Sequence, residues 1–101
     1  MDWEQKFAAL KSLSPLSSDC AVFMRKPGSW YVTLGSIEIG GDGVLTMVSG
    51  DGDTPRAAIE DAWERVTSLG PNRYLVLNAG SDARRHVRWN GFMWAEVPKA
   101  A

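Results

Sequence analysis

Two of the residue types on which enzymes most often depend are nearly missing from this chain, which holds one cysteine and one histidine in 101 residues. With Cys20 alone there is no intrachain disulfide and no cysteine-built zinc site, and a reducing compartment is the expected setting. With His86 alone there is no Ser-His-Asp spacing and no zinc motif, and no phosphate-binding glycine loop appears either. His86, in a strand beside arginines, reads as a structural residue, and Cys20, at the edge of an apolar strand, reads as core. The expectation is a protein that is not an enzyme and takes no cofactor or metal. Long hydrophobic runs are also missing: nothing approaches the roughly 18 apolar residues of a membrane span. The start "MDWEQKFAAL" has no basic region leading into an apolar run, so a signal peptide is not expected. These absences predict a cytoplasmic protein with no membrane partner.

Charge of one sign is not in excess. Eleven basic and twelve acidic residues leave a formal net charge of −1, whereas phosphate neutralisation needs concentrated positive charge. Direct nucleic-acid binding is therefore not expected, and neither is mimicry of nucleic acid by the chain as a whole. What is present is an ordinary globular composition, 45% hydrophobic and 23% charged, in a length suited to a single domain over residues 1–101. Five tryptophans are a heavy aromatic load, and some of them are expected at a rim or interface because each needs a partner for its N–H.

Trp3, Phe7, Leu10 and Leu13 recur at helical spacing and predict a short amphipathic helix capped by Asp2. "SLSPLSSD" breaks it, since Pro15 and the serines favour turns. From Cys20 the period becomes that of strands. "CAVFM", "WYVTLGSIEI" and "VLTMVS", separated by the turns "KPGS" and "GGDG", predict an antiparallel meander, with Gly35 marking a bulge or bend in the long second strand. The glycines of "SGDGD" fit a turn and helix entry. Asp42, Asp51 and Asp53 fall short of a calcium loop, which needs more ligands and a terminal bidentate Glu.

A second helix follows, with Thr54 as cap and Pro55 at its first position, and Gly70 is expected to end it in a left-handed conformation. Ile59, Ala62, Trp63, Val66 and Leu69 form its apolar face, while Glu60, Asp61 and Glu64 make an acidic stripe facing away. "RYLVLNA" predicts a strand covered on both sides. In "RRHVRWNGFMWAEV" the Asn90-Gly91 pair signals a hairpin with a two-residue type I′ loop. That register pairs Trp89 with Phe92, Val87 with Trp94 and Arg85 with Glu96 on one face, and lines up Arg84, His86 and Arg88 on the other. The predicted fold class is α+β: an α-β-β-β-α unit, then a strand and a C-terminal β-hairpin, with helices on one face of an antiparallel sheet.

The candidate binding residues are the acidic stripe Glu60, Asp61 and Glu64 and the basic row Arg84, His86 and Arg88. The α-β-β-β-α order is shared with double-stranded RNA-binding domains, but the second helix here presents acids where those offer lysines, so RNA-duplex binding is not expected. The stripe would compete for a basic groove by charge complementarity; the row would hold an anion or an acidic partner.

The segment Gly52, Asp53, Thr54, Pro55, Ala58 and Ile59 resembles the "GDTPxxAI" stretch that opens the second helix in small phage and prophage proteins of the phage ABA-sandwich kind, a resemblance covering the first seventy residues. Size, lone cysteine and mixed charge are also similar to those of phage anti-CRISPR proteins. The resemblance implies a non-enzymatic phage protein that binds and inhibits a host protein, a bacterial defence complex of the CRISPR-Cas type, in the cytoplasm of the bacterial host. Two other roles compete: a sponge for a nucleotide signal held between Arg84, Arg88 and exposed tryptophans, and a virion or assembly component. The tryptophans also make a homodimer credible.

Overall fold

A computed structural model describes residues 1–14 and 20–97. The break expected at Pro15 and the terminal "PKAA", read from the sequence as a frayed tail, lie outside the described residues. The fold is α+β, with two helices against an antiparallel sheet. In chain order the elements are α1 (Trp3–Lys11), β1 (Cys20–Lys26), β2 (Ser29–Gly40), β3 (Thr46–Gly52), α2 (Pro55–Thr67), β4 (Tyr74–Leu77), β5 (Arg85–Trp89) and β6 (Trp94–Glu96).

Both helix starts are local chemistry. The Asp2 side chain accepts from the Gln5 amide at 2.8 Å, and Gln5 Oε1 accepts from the Asp2 amide at 3.0 Å. This reciprocal capping box satisfies two donors that the first turn would otherwise leave open. Thr54 Oγ1 accepts from the Ala57 amide at 3.0 Å, with Pro55 following it. The C-terminus of α2 departs from expectation. The helix closes at Ser68, and Gly70 is not among the residues with positive φ. A left-handed glycine is unnecessary there because the carbonyls of the following turn are bonded by a side chain from β5, described below.

β2 organises the sheet. Along one side it pairs with β3, from Trp30 to Thr33 and again at Glu38 and Ile39; along the other it pairs first with β1, from Ser29 to Leu34, and then with β4, from Glu38 to Gly40. The expected bulge at Gly35 is present, with φ of 67°, and it does more than bend the strand. Between the pairs Thr33–Ser49 and Glu38–Met47, β2 advances five residues while β3 advances two. An odd excess reverses the alternation of faces. Val32 and Leu34 point to the helices before the bulge, and Ile37, also buried in the core, does so after it. β4, with Leu75, Val76 and Leu77 all buried, then carries β5 and β6 outward in antiparallel order.

The core lies between the sheet and the helices and includes Leu10, Val32, Leu34, Ile37, Val48, Ile59, Val66, Leu75 and Val87. β3 runs three residues beyond the predicted "VLTMVS" strand, so that Gly50 and Gly52 are strand residues and not turn residues. Their missing side chains let α2 settle on the strand backbone. A Cβ on Gly50 would lie 2.4 Å from the Ala58 carbonyl oxygen, and one on Gly52 would lie 2.6 Å from the Ala58 nitrogen.

The C-terminal hairpin forms, with a register two residues away from the predicted one. Trp89 pairs with Trp94, Arg88 with Ala95 and Val87 with Glu96. Four residues, Asn90 to Met93, make the loop. Asn90 Oδ1 accepts from the amides of both Phe92 and Met93 at 2.8 Å, and Gly91 has positive φ whereas Asn90 does not. A side chain closing the turn on its own backbone replaces the type I′ geometry. Because the shift is even, Val87, Trp89 and Trp94 keep the predicted face, and Arg85 still reaches Glu96 at 2.6 Å.

Candidate functional site

The acidic stripe of α2 is half-buried at Glu60 and Asp61 and exposed at Glu64, and it is electrically answered. Glu60 Oε1 lies 3.8 Å from Lys6 Nζ and 3.7 Å from Arg56 Nε. Asp61 Oδ2 accepts from the Asp51 amide at 2.8 Å and from Arg65 Nε at 3.1 Å, tying α2 to β3. Glu64 Oε1 accepts from Ser68 Oγ at 3.0 Å. Such exposed contacts stabilise the fold little, yet nearby cations offset two of the three carboxylates and weaken the field the stripe would present to a basic groove.

Each member of the basic row is engaged within the chain. Arg84 precedes β5, and its Nη2 donates to the Ala79 carbonyl at 3.0 Å. His86 stacks on Tyr74, with ring centroids 4.5 Å apart. Arg88 is structural: its guanidinium donates to the carbonyls of Gly70 at 2.7 Å, of Leu69 at 3.4 Å and of Arg73. These carbonyls belong to the turn that leaves α2, where a helix end exposes acceptors that need donors. One side chain from β5 therefore closes the joint between α2 and β4, a role that no local pattern announces across 18 residues of sequence.

No described tryptophan stands fully exposed: Trp63 is buried, and Trp3, Trp30, Trp89 and Trp94 are half-buried against the core. Trp63 of α2, Trp89 of β5 and Trp94 of β6 meet edge to face, with centroids 4.8 to 5.8 Å apart. Trp94 Nε1–H donates to the Ala9 carbonyl of α1 at 3.0 Å. Three of the five tryptophans thus dock the hairpin to both helices.

Cys20 is buried, and burial pushes its thiol from 9.0 up to about 11, the charge of Lys11 opposing only part of that. A thiol held in its neutral form is a poor nucleophile near neutral pH. Among the described residues, no three His, Cys, Asp or Glu side chains lie together as metal ligands.

What stands free is apolar. Eight large hydrophobic residues are exposed among those described, and five of them, Val44, Leu45, Met47, Phe92 and Met93, lie towards the same end of the strands. The registers place them there. Gly40 pairs with Tyr74 at the start of β4, so the loop of residues 41–45 lies beside the turn of 70–73, and β5, antiparallel to β4, ends at the same side. Phe92 is 85% exposed at the tip of the hairpin. The predicted register concealed it by assigning it Trp89 as a cross-strand partner. An even slip of the pairing, undetectable from alternation, releases it.

Next to this end, a cleft of about 230 Å³ opens between the C-terminal turn of α2 and the start of β3, with Arg65, Arg73, Ser49, Ser68 and Leu69 in its wall. No protein-family model, curated protein or solved structure matches the chain.

Proposed function

We propose that the chain is a non-enzymatic binding protein whose contact surface is the apolar end formed by the loop of residues 41–45 and the hairpin tip. The observation that carries this reading is Phe92, fully presented on a loop that its own Asn90 side chain holds rigid. The backbone that carries it is ordered before association, and an exposed aromatic residue on an ordered turn is a common form of interface anchor. An exposed cluster of large apolar residues at one end is otherwise a solubility cost with no return in folding.

The finer reading follows the resemblance of residues 52–59 to the phage segment: the partner is a protein of a bacterial host, in its cytoplasm, and the bound complex belongs to its defence machinery. The nucleotide-sponge alternative loses support, because Arg88 is already occupied by three carbonyls and no tryptophan stands fully exposed to stack on a base. Affinity capture of tagged protein from bacterial lysate, run beside a Phe92→Ala/Met93→Ala variant, tests the proposal. A specific host protein recovered at stoichiometric yield by the parent and lost with the variant supports it. Equal recovery by both moves the contact off the hairpin tip, and recovery by neither removes the inhibitor reading.

A further inference from the structure

The dipeptide that turns the C-terminal hairpin, Asn90-Gly91, is also a weak point in the covalent chain. Asparagine is a chemically labile residue, because the amide nitrogen of the next residue can attack its side-chain carbonyl carbon. Glycine in that next position removes the Cβ that otherwise hinders the approach. Of the three asparagines in the chain, Asn72 and Asn78 precede Arg73 and Ala79, and Asn90 alone precedes a glycine.

The folded loop adds to this local chemistry. Asn90 and Gly91 are exposed, and a Cβ on Gly91 would meet nothing within 4 Å. Among the described residues nothing accepts from the Gly91 amide, so the attacking nitrogen is not tied up. Asn90 Oδ1 accepts from the amides of Phe92 and Met93, both at 2.8 Å. The ring closed by the Phe92 bond runs through Asn90 Cγ and Gly91 N, which holds the attacked carbon and the attacking nitrogen on one small loop. Two backbone donors on one carbonyl oxygen also make an oxyanion hole, aimed at the oxygen that gains charge when Cγ is attacked. Asn78 has no such arrangement, and its side chain donates to the Ala83 carbonyl at 3.4 Å.

We propose that Asn90 is a site of spontaneous deamidation that its own turn promotes. Gly91 N releases its proton to solvent and bonds to Cγ; the Cγ–Nδ2 bond breaks, and Nδ2 takes a proton from solvent and leaves as ammonia. Water then opens the cyclic imide at either carbonyl. Cleavage between Gly91 N and Cγ gives aspartate. Cleavage between Gly91 N and the main-chain carbonyl carbon of residue 90 gives isoaspartate, with the chain running through Cγ. The net change consumes water and releases ammonia, with no redox partner. The products differ at the turn. Aspartate keeps an acceptor for the Phe92 and Met93 amides and adds charge to it. Isoaspartate lengthens the backbone by a methylene and takes the former side-chain carbonyl into the main chain, so the closure is lost and Phe92 is no longer held. This chemistry stands whether or not the hairpin tip is a contact surface.

The test is incubation of the full chain at mildly alkaline pH, both folded and unfolded in guanidinium chloride, with peptide mapping by mass spectrometry to follow each asparagine. The expected result is deamidation confined to Asn90 in the folded chain, several-fold faster than at Asn90 in the unfolded chain, with isoaspartate among the products. Equal or slower reaction in the folded chain would mean that the turn gives no help, and reaction chiefly at Asn72 or Asn78 would remove the site; either overturns the proposal. Gly91→Ala should slow the reaction several-fold in the unfolded chain, where its effect on the turn plays no part. No slowing there would exclude attack by the residue 91 amide. In amide-resolved NMR of the aged protein, with Asn90→Asp as the standard for one product, the aspartate form should keep the Phe92 and Met93 amides protected from exchange and the isoaspartate form should not. Protection retained in both forms would overturn the release of Phe92.

Discussion

The nitrogen of Ala62 in α2 would lie 2.5 Å from a Cβ on Gly50 of β3. No real Cβ sits so close to backbone, and neither partner is a flexible side chain that could step aside. Gly50→Ala should therefore force helix and strand apart and lower stability by about 2 kcal/mol or more, in the range of overpacked cores. Gly80→Ala, where a Cβ meets nothing within 4 Å and φ is not positive, should be neutral or stabilising by up to about 1 kcal/mol through the unfolded chain. Urea denaturation of the two variants checks the contrast.

Removing Arg88 leaves the carbonyls of Leu69, Gly70 and Arg73 without their charged donor. Arg88→Ala should cost about 2–3 kcal/mol, the scale of stranded, partly buried acceptors. Arg84→Ala, which loses one exposed bond to Ala79, should stay within about 0.5 kcal/mol of the parent. Thermal melts that rank the two equally would refute the clamp.

These two sites show what the sequence can and cannot disclose. Asp2, Thr54 and Pro55 act within a few residues of themselves, so the helix starts were legible. The alternation that put Val87, Trp89 and Trp94 on one face was legible too, because it survives an even slip in register. The register itself was not, since Asn90 can serve either a type I′ turn or a turn closed by its own side chain, and only tertiary docking of the tryptophans separates the two. Gly50 and Gly52 carry a real signal, glycine on alternate positions of a strand followed by an alanine-rich helix. It was hidden by the resemblance of "GDGD" to a turn. Arg88 had no local signal, because its partners lie 15 to 19 residues away and are backbone atoms of another element. The exposure of Phe92 was not legible, since it follows from the register, and the charged residues that stand out in a string of letters find partners within the chain.

Trp94→Phe keeps most of the ring but removes the N–H that reaches Ala9. A loss of about 1 kcal/mol is expected, with amide exchange quickening in α1 more than in α2. Uniform quickening across both helices would mean that the bond does not anchor α1.

The Cys20 thiol sits higher in the folded protein, at about 11, than the 9.0 of an ordinary thiol. A raised pKa means that the folded state holds the proton more tightly. The associated stability is complete below pH 9 and is lost as pH rises from 9 towards 11. Cys20→Val, which keeps the site apolar, should flatten that part of the stability profile. In the parent, labelling of the thiol by a disulfide reagent at pH 8 should follow unfolding. Fast labelling without unfolding would show the thiol to be accessible.

Phe92→Ala should leave the melting temperature unchanged within about 0.5 kcal/mol of stability, since an exposed side chain at a loop tip contributes nothing to the core. Loss of partner capture by a variant of normal stability then reports on recognition alone. A large drop in stability would instead mean that the tip packs against the body of the protein.

The bond from Trp94 to Ala9 spans 85 residues, which sets an order on events during synthesis. α1 is made before the hairpin that holds it in place, and its capping box favours the helix as soon as its residues are free. Until residue 94 clears the exit tunnel, the apolar stripe of α1 and the exposed flank of Trp63 have no final cover, and contacts so distant in sequence form late. α1 is secured only once a hairpin made 85 residues later has docked.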